Sequence, residues 1–324
     1  MSDGALLVVE NLSVTYGSVA HGATAVVETV SLELERGRCL GVIGESGAGK
    51  TQAFLAMMGL LPAQARVAGR ARLEGVDLLG PAASALRGQR VAMIFQDPMT
   101  SLTPHLRIGD QIAEPLVTHR GMSWKDARAR AAMLFEQVQM NDVPSRLRQF
   151  PHELSGGMRQ RAMIAMALAC DPKLLIADEP TTALDVTIQA QILKLITDLQ
   201  KRTGAAVILI THDLGVVAET CERVVVAYAG RKVEEAAVAD LFARPLHPYT
   251  QGLMASLPRM RKTGRRGRLA EIPGVVPSLR DPLAGCAFAA RCALATDRCR
   301  AEFPALRDFG GGHVVACHEA GRAG

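Results

Sequence analysis

The chain has 324 residues, 48% apolar and 21% charged, with a formal net charge of +5. That length suits one large α/β domain with an appendage, or two domains, and the mild charge argues weakly for any anionic partner. The longest apolar run, Ala162 to Cys170, falls well short of the ~20 residues that cross a bilayer, and the first residues lack the basic-then-apolar layout of a secretory signal, so a soluble, cytoplasmic chain is expected.

From Leu6 to about Leu34 apolar and polar residues alternate as in β-strands, Val30-Ser31-Leu32-Glu33-Leu34 being the clearest stretch. An apolar strand over Cys39–Ile43 then leads into Gly44-Glu45-Ser46-Gly47-Ala48-Gly49-Lys50-Thr51, and a helix is expected over Gln52–Leu61. This is the strand–loop–helix context of the phosphate-loop pattern G-x-x-x-x-G-K-[ST]. Its glycines let backbone N–H groups close around phosphate oxygens. Lys50 supplies a point charge to the terminal phosphates, and Thr51 offers a hydroxyl to Mg2+. Val91 to Phe95 reads as a further strand, after which the Gln96 amide can touch Mg2+ or an attacking water. Alone, Gln96 would more simply be structural.

Between Asp97 and Glu153 the pattern turns helical and more polar, which suggests a helical subdomain inserted into the α/β core. Ser123-Trp124-Lys125-Asp126 resembles a capping box, followed by Ala131, Leu134, Phe135 and Val138 on one helical face. Ser155-Gly156-Gly157 then opens a helix through Met158, Ala162, Ala165 and Leu168. Its N-terminus would present free N–H groups to an anion, although a loop simply entering a helix gives the same letters. Lys173–Ala177 reads as a buried strand. Asp178 follows it, and a carboxylate there would be costly unless a cation such as Mg2+ meets it. Glu179 is placed to accept a proton from water. A helix over Val186–Arg202 is capped by Asp185, carries Ile188, Ile192, Leu195 and Leu199 inward, and is stopped by Gly204. Ala206–Ile210 is another strand, and His212 just beyond it could hold a γ-phosphate or Glu179. Strands separated by helices imply a mainly parallel sheet.

These motifs occur in one order: the phosphate loop, Gln96-Asp97-Pro98, Leu154-Ser155-Gly156-Gly157-Met158-Arg159-Gln160-Arg161, Asp178-Glu179-Pro180-Thr181, Ala183-Leu184-Asp185 and Thr211-His212-Asp213. Together, over residues 5–260, they resemble an ATP-binding-cassette (ABC) ATPase. The resemblance implies a phosphate-loop core with an antiparallel β subdomain and a helical subdomain at about 97–157. It also implies that Tyr16 stacks on adenine, Gln96 senses a membrane subunit and Asp185 couples two sites. Two such domains would meet head to tail, each Ser155 and Gly157 completing the other's site. A narrower likeness lies in Gln96-Asp97-Pro98-Met99-Thr100-Ser101-Leu102, Tyr228-Ala229-Gly230-Arg231, Pro245-Leu246-His247-Pro248-Tyr249-Thr250 and Gly285-Cys286-Ala287-Phe288. These resemble oligopeptide/dipeptide permease ATPases, with Thr103 departing where that family usually has Asn.

Near Pro245–Pro248 the periodicity breaks. Arg259, Arg261, Lys262, Arg265, Arg266 and Arg268 follow, and they suit a solvated linker or contact with lipid headgroups or a partner chain. Cys39, Cys170 and Cys221 lie in apolar context as core thiols, whereas Cys286-x5-Cys292-x6-Cys299-x17-Cys317 crowds the end of the chain. No C-x2–4-C knuckle is present, and disulfides are disfavoured in a reducing cytosol. That spacing leaves an iron–sulfur cluster, zinc or free thiols open. Some peptide-permease ATPases carry a [4Fe–4S] cluster in a similar tail, so the resemblance implies a cluster held by these four cysteines and fixing the tail in place.

The expected organisation is a cassette over 1–258 and a basic linker with a Cys-rich extension over 259–324. The expected function is ATP hydrolysis, with Mg2+, driving peptide import at the cytoplasmic face of the inner membrane. Partners would be a second, different ATPase subunit, two permease subunits and an extracytoplasmic peptide-binding protein, with no nucleic acid. An ABC ATPase for another substrate such as nickel, or a non-transport one acting on nucleic acid or ribosomes, is the alternative. The latter would carry paired cassettes or a coiled-coil insertion. A non-catalytic regulatory cassette would have lost Glu179, His212 or the Leu-Ser-Gly-Gly signature.

Overall fold

The computed structural model describes residues 4–17, 23–181, 185–256, 271–280 and 283–321. Ala183, Leu184 and the basic run from Arg259 to Arg268 lie outside the described residues. In chain order the first elements are β1 (Ala5–Tyr16), β2 (Thr24–Glu35), β3 (Cys39–Ile43), α1 (Lys50–Met57), β4 (Ala65–Leu73), β5 (Val76–Asp77), α2 (Ala83–Leu86) and β6 (Val91–Ile94). Then come α3 (Pro98–Ser101), α4 (Ile108–Arg120), α5 (Trp124–Gln137), α6 (Val143–Arg146), α7 (Gly156–Leu168), β7 (Leu174–Asp178), α8 (Val186–Thr203) and β8 (Ala206–Thr211). The remainder is α9 (Leu214–Thr220), β9 (Arg223–Tyr228), β10 (Arg231–Ala237), α10 (Val238–Ala243), α11 (Pro248–Ala255), α12 (Asp297–Ala301), β11 (Arg307–Asp308) and β12 (Val314–Val315).

The chain divides into two compact units, each built from separated stretches. Unit one takes residues 1–7, 34–39 and 72–210. Its strands run β8-β7-β6, all parallel, with Ile94 opposite Ala177 and Asp178 opposite Ile210. Every residue of β6 and β7 is buried, as expected of strands covered on both faces. The helical insertion packs α4, α5 and α7 on one another. Ser123 caps α5 by accepting from the Asp126 N–H, and Ala131, Leu134, Phe135 and Val138 are buried as their spacing predicts. Helix α8 begins and ends where its signals place it: the Asp185 side chain accepts from the Ile188 N–H, and Gly204 takes a left-handed conformation with φ 67°. Ile192, Leu195 and Leu199 are buried, while Ile188 is half-buried.

Unit two takes residues 8–33, 40–71 and 211–324. It carries the strand order β2-β1-β4 in one sheet and β11-β12-β10-β9-β3 in the other. In the latter only the β3–β9 pair is parallel, so the expected mainly parallel sheet acquires an antiparallel edge. Both β12 and the edge strand β11 come from the C-terminal segment, with Val315 opposite Glu234 and Arg307 opposite Val315. Helix α1 stops at Met57 rather than Leu61, because Gly59 turns left-handed there at φ 60°.

Candidate functional site

The phosphate loop belongs to unit two. All five residues of β3 are buried, and the strand delivers the chain to Gly44. A Cβ at Gly44 would stand 2.2 Å from the Ala227 carbonyl oxygen, and one at Gly49 2.2 Å from that of Val26. Only glycine fits at either position. The Lys50 ammonium is buried and donates to the Gly44 and Glu45 carbonyls at 2.7 and 3.0 Å, so the loop closes around its own cation. A buried ammonium inside a glycine-lined loop at a helix start fits a phosphate group. Thr51 follows in the first turn of α1, and the Tyr16 hydroxyl donates to Gln52 Oε1 at 2.6 Å.

The carboxylates belong to unit one. Asp178 ends β7 and is buried. Glu179 adopts φ +43°, a left-handed conformation that costs a non-glycine residue about 1 kcal/mol or more. Its N–H donates to the Ile210 carbonyl at 2.9 Å, which holds the turn in register with β8. Gln96, two residues past β6, donates from Nε2 to Glu179 Oε2 at 3.0 Å. The structure therefore brings Gln96 and the two acids together at the ends of neighbouring strands. Such an arrangement can orient a water molecule and take its proton.

Ser155 caps α7, its hydroxyl accepting from the Met158 N–H at 3.4 Å, while Ser155 and Gly156 remain exposed. A Cβ at Gly157 would stand 3.0 Å from Ile188 Cγ2, so this glycine also lets α7 lie close to α8. Asp185 is exposed and spends one carboxylate oxygen on its cap. His212, in unit two, is exposed just beyond β8.

Residues 27–182 match the family model for the ABC transporter, and residues 233–299 match that for the oligopeptide/dipeptide transporter C-terminal region. The ABC transporter ATP-binding protein y4tR of Sinorhizobium fredii is 56% identical over 92% of this chain and 90% of its own length. The chain belongs to the ABC transporter ATPase family. Dipeptide transport ATP-binding protein DppD of Escherichia coli is 48% identical over 98% of this chain and 99% of its own. Oligopeptide transport ATP-binding protein OppD of Salmonella typhimurium is 45% identical over 96% and 93%. Among solved structures, a dimeric ATP-binding cassette bound to ADP and Pi in a post-hydrolysis state superposes with TM-score 0.63 at 26% identity, over 72% of this chain and 98% of that one. The phosphate-loop α/β fold and ATP hydrolysis follow for this ABC ATPase.

The expected [4Fe–4S] cluster does not survive. Among the described residues, no group of three or more His, Cys, Asp or Glu side chains is placed to hold a metal ion. Cys286, Cys292, Cys299 and Cys317 are instead half-buried or buried thiols. Burial pushes Cys286 and Cys292 above the usual thiol range and Cys317 up to about 11. The cross-linking assigned to a cluster is supplied otherwise. Phe288 packs against Tyr228 and Tyr249 at 5.3 and 5.5 Å between ring centroids, β12 adds to β10, and Arg291 reaches Glu45.

Sequence reading missed two residues of the ABC ATPase that touch the loop. The Glu45 N–H donates to the Tyr249 hydroxyl at 2.9 Å, and the Glu45 carboxylate receives Arg291. They lie 204 and 246 positions away, and no local spacing signals either.

Proposed function

We propose that this ABC ATPase powers import of oligopeptides or dipeptides from the cytoplasmic face of the inner membrane. In this reading it works with two permease subunits, a second and different ATPase subunit, and an extracytoplasmic peptide-binding protein. The observation that carries the reading is the match of residues 233–299 to the oligopeptide/dipeptide transporter C-terminal region, with supporting likeness to OppD and DppD along nearly the whole chain. No helix among the described residues is long and apolar enough to cross a membrane, so contact with the bilayer would pass through other subunits. Functionally the chain divides into a cassette, 1–258, and an extension, 259–324.

Within the cassette, Gly44 to Thr51 bind the triphosphate, Lys50 neutralising its terminal phosphates. Tyr16 stacks on adenine. By the family resemblance, Thr51, Gln96 and Asp178 would be the side chains that serve Mg2+, which would supply charge neutralisation at the transferred phosphoryl. Glu179 takes the proton of the attacking water, with His212 on the γ-phosphate side and Gln96 orienting the acid. Ser155, Gly156 and Gly157 serve the nucleotide of the second ATPase subunit, and Asp185 couples the two sites.

Purification of the tagged full chain from its native membranes tests the assembly. Permease subunits and a second ATPase should co-purify in fixed proportion. Recovery of the chain with no membrane subunit would remove the importer reading.

A further inference from the structure

One side chain of the extension lies against the phosphate loop. Arg291, directly before Cys292, donates from Nη1 to Glu45 Oε2 at 2.7 Å and from Nη2 to Glu45 Oε1 at 3.1 Å. Its remaining donors reach the Pro273 carbonyl at 2.9 Å, the Ile272 carbonyl at 3.3 Å and the Tyr228 hydroxyl at 3.2 Å. The Arg291 side chain is 6% exposed and that of Glu45 27%, so this forked pair is less hydrated than Arg298–Glu302 or Arg300–Asp297 in the same extension, whose partners are all more than half exposed. On the loop side, the Glu45 carbonyl accepts from Lys50 Nζ, and its N–H is held by Tyr249. Phosphate binding has no use for a carboxylate at this second loop position. Left uncompensated, its negative charge would repel a polyanion bound in the loop.

We propose that Arg291 is a positioning residue for the nucleotide: by neutralising and clamping Glu45, the C-terminal extension sets the affinity of the phosphate loop for a nucleoside triphosphate. This rests on the reading of Gly44 to Thr51 as the nucleotide site. It gives the extension a role at the site of hydrolysis that needs no bound metal. It also makes loss of the extension's packing a loss of nucleotide affinity.

The test is equilibrium titration of the full chain with a fluorescent magnesium–ATP analogue, chased by MgATP, alongside thermal melting without nucleotide. Arg291→Ala should weaken binding about tenfold, and Arg291→Lys, which keeps the charge but not the fork, about threefold. In a Glu45→Gln background Arg291→Ala should cost less than twofold, because the charge it answers is gone. Arg298→Ala should bind as wild type does. Should Arg291→Ala melt below the assay temperature, Arg291→Lys with and without Glu45→Gln decides the matter. A wild-type dissociation constant in Arg291→Ala, with Lys50→Ala still strongly weakened, would overturn the inference and leave the loop's role intact. An equal loss in the Glu45→Gln background would overturn it too, since Arg291 would then act by another route. If Lys50→Ala binds normally, the nucleotide reading of the loop fails and the inference falls with it.

Discussion

The phosphate loop and the C-terminal extension both keep chain without regular structure in a fixed shape, and they do so by opposite means. The loop is held by its backbone: Gly44 and Gly49 sit against the carbonyls of Ala227 and Val26, and Lys50 ties two loop carbonyls together. The extension is held chiefly by side chains that land elsewhere in unit two, Phe288 among Tyr228 and Tyr249 and Arg291 on Glu45, with backbone pairing of the two-residue strand β12 to β10 added to them. A backbone-built loop demands glycine wherever two main chains nearly touch, so it leaves a signature in the sequence. Side-chain anchoring can be met by many residues at many positions, and it leaves none.

The backbone-built side should break hardest. Gly49→Ala places a methyl group 2.2 Å from the Val26 oxygen at a residue with φ +79°. Left-handed strain and overpacking together cost roughly 4 kcal/mol. Nucleotide binding should be lost and the denaturant midpoint should fall sharply. A Gly49→Ala chain with wild-type stability and affinity would show that the loop is not held by these close approaches. The side-chain-built extension should yield next. Phe288 is buried among three other rings, and Phe288→Ala should cost about 3 kcal/mol in urea unfolding. A loss under about 1 kcal/mol would mean that strand pairing alone carries the extension.

The smallest effect is a pH dependence at the junction of the two. His247 caps α11 by accepting the Tyr249 N–H on Nδ1, its ring packs at a 56° tilt near Phe288, and Nε2 is buried without a hydrogen-bond partner among the described residues. Burial lowers its pKa from 6.5 to about 3. The unfolded chain therefore binds a proton that the folded chain refuses between those values. The stability this group contributes is full above pH 6.5 and declines by about 1.4 kcal/mol per pH unit as pH falls toward 3. His247→Asn keeps the cap and removes the titration. Between about pH 7.5 and 5.5 the wild type should lose roughly 1 kcal/mol more than the variant, because only the lower part of that interval lies below the unfolded-state pKa. Parallel unfolding curves would exclude a neutral buried His247.

How much of this could be read in the letters varies with the same distinction. Strand β3, the loop, the capped ends of α8 and the buried face of α5 follow from glycine, caps and period. The hydrogen bond from Gln96 to Glu179 does not, since the letters offer Gln96 only to Mg2+ or an attacking water and offer Glu179 to His212. The antiparallel edge of β10, β12 and β11 did not, because a two-residue strand such as Val314–Val315 has no period to detect. The cysteines misled for a related reason. Their spacing leaves a cluster, zinc or free thiols open and only the family resemblance favours a cluster, yet Cys286 and Cys292 pack against the aromatic cluster and Cys317 against Leu246 and Val315. Burial next to distant residues explains them, and spacing does not report it.

Import driven by Glu179-dependent hydrolysis is tested most directly by peptide uptake in cells whose native copy of the chain has been deleted. Restoring the wild-type chain should return uptake of a labelled peptide to its original rate. Restoring Glu179→Gln should leave uptake and steady-state ATP hydrolysis about a hundredfold lower or worse, with MgATP still bound nearly as tightly as by wild type. Peptide uptake at the wild-type rate with Glu179→Gln in place would contradict the assignment.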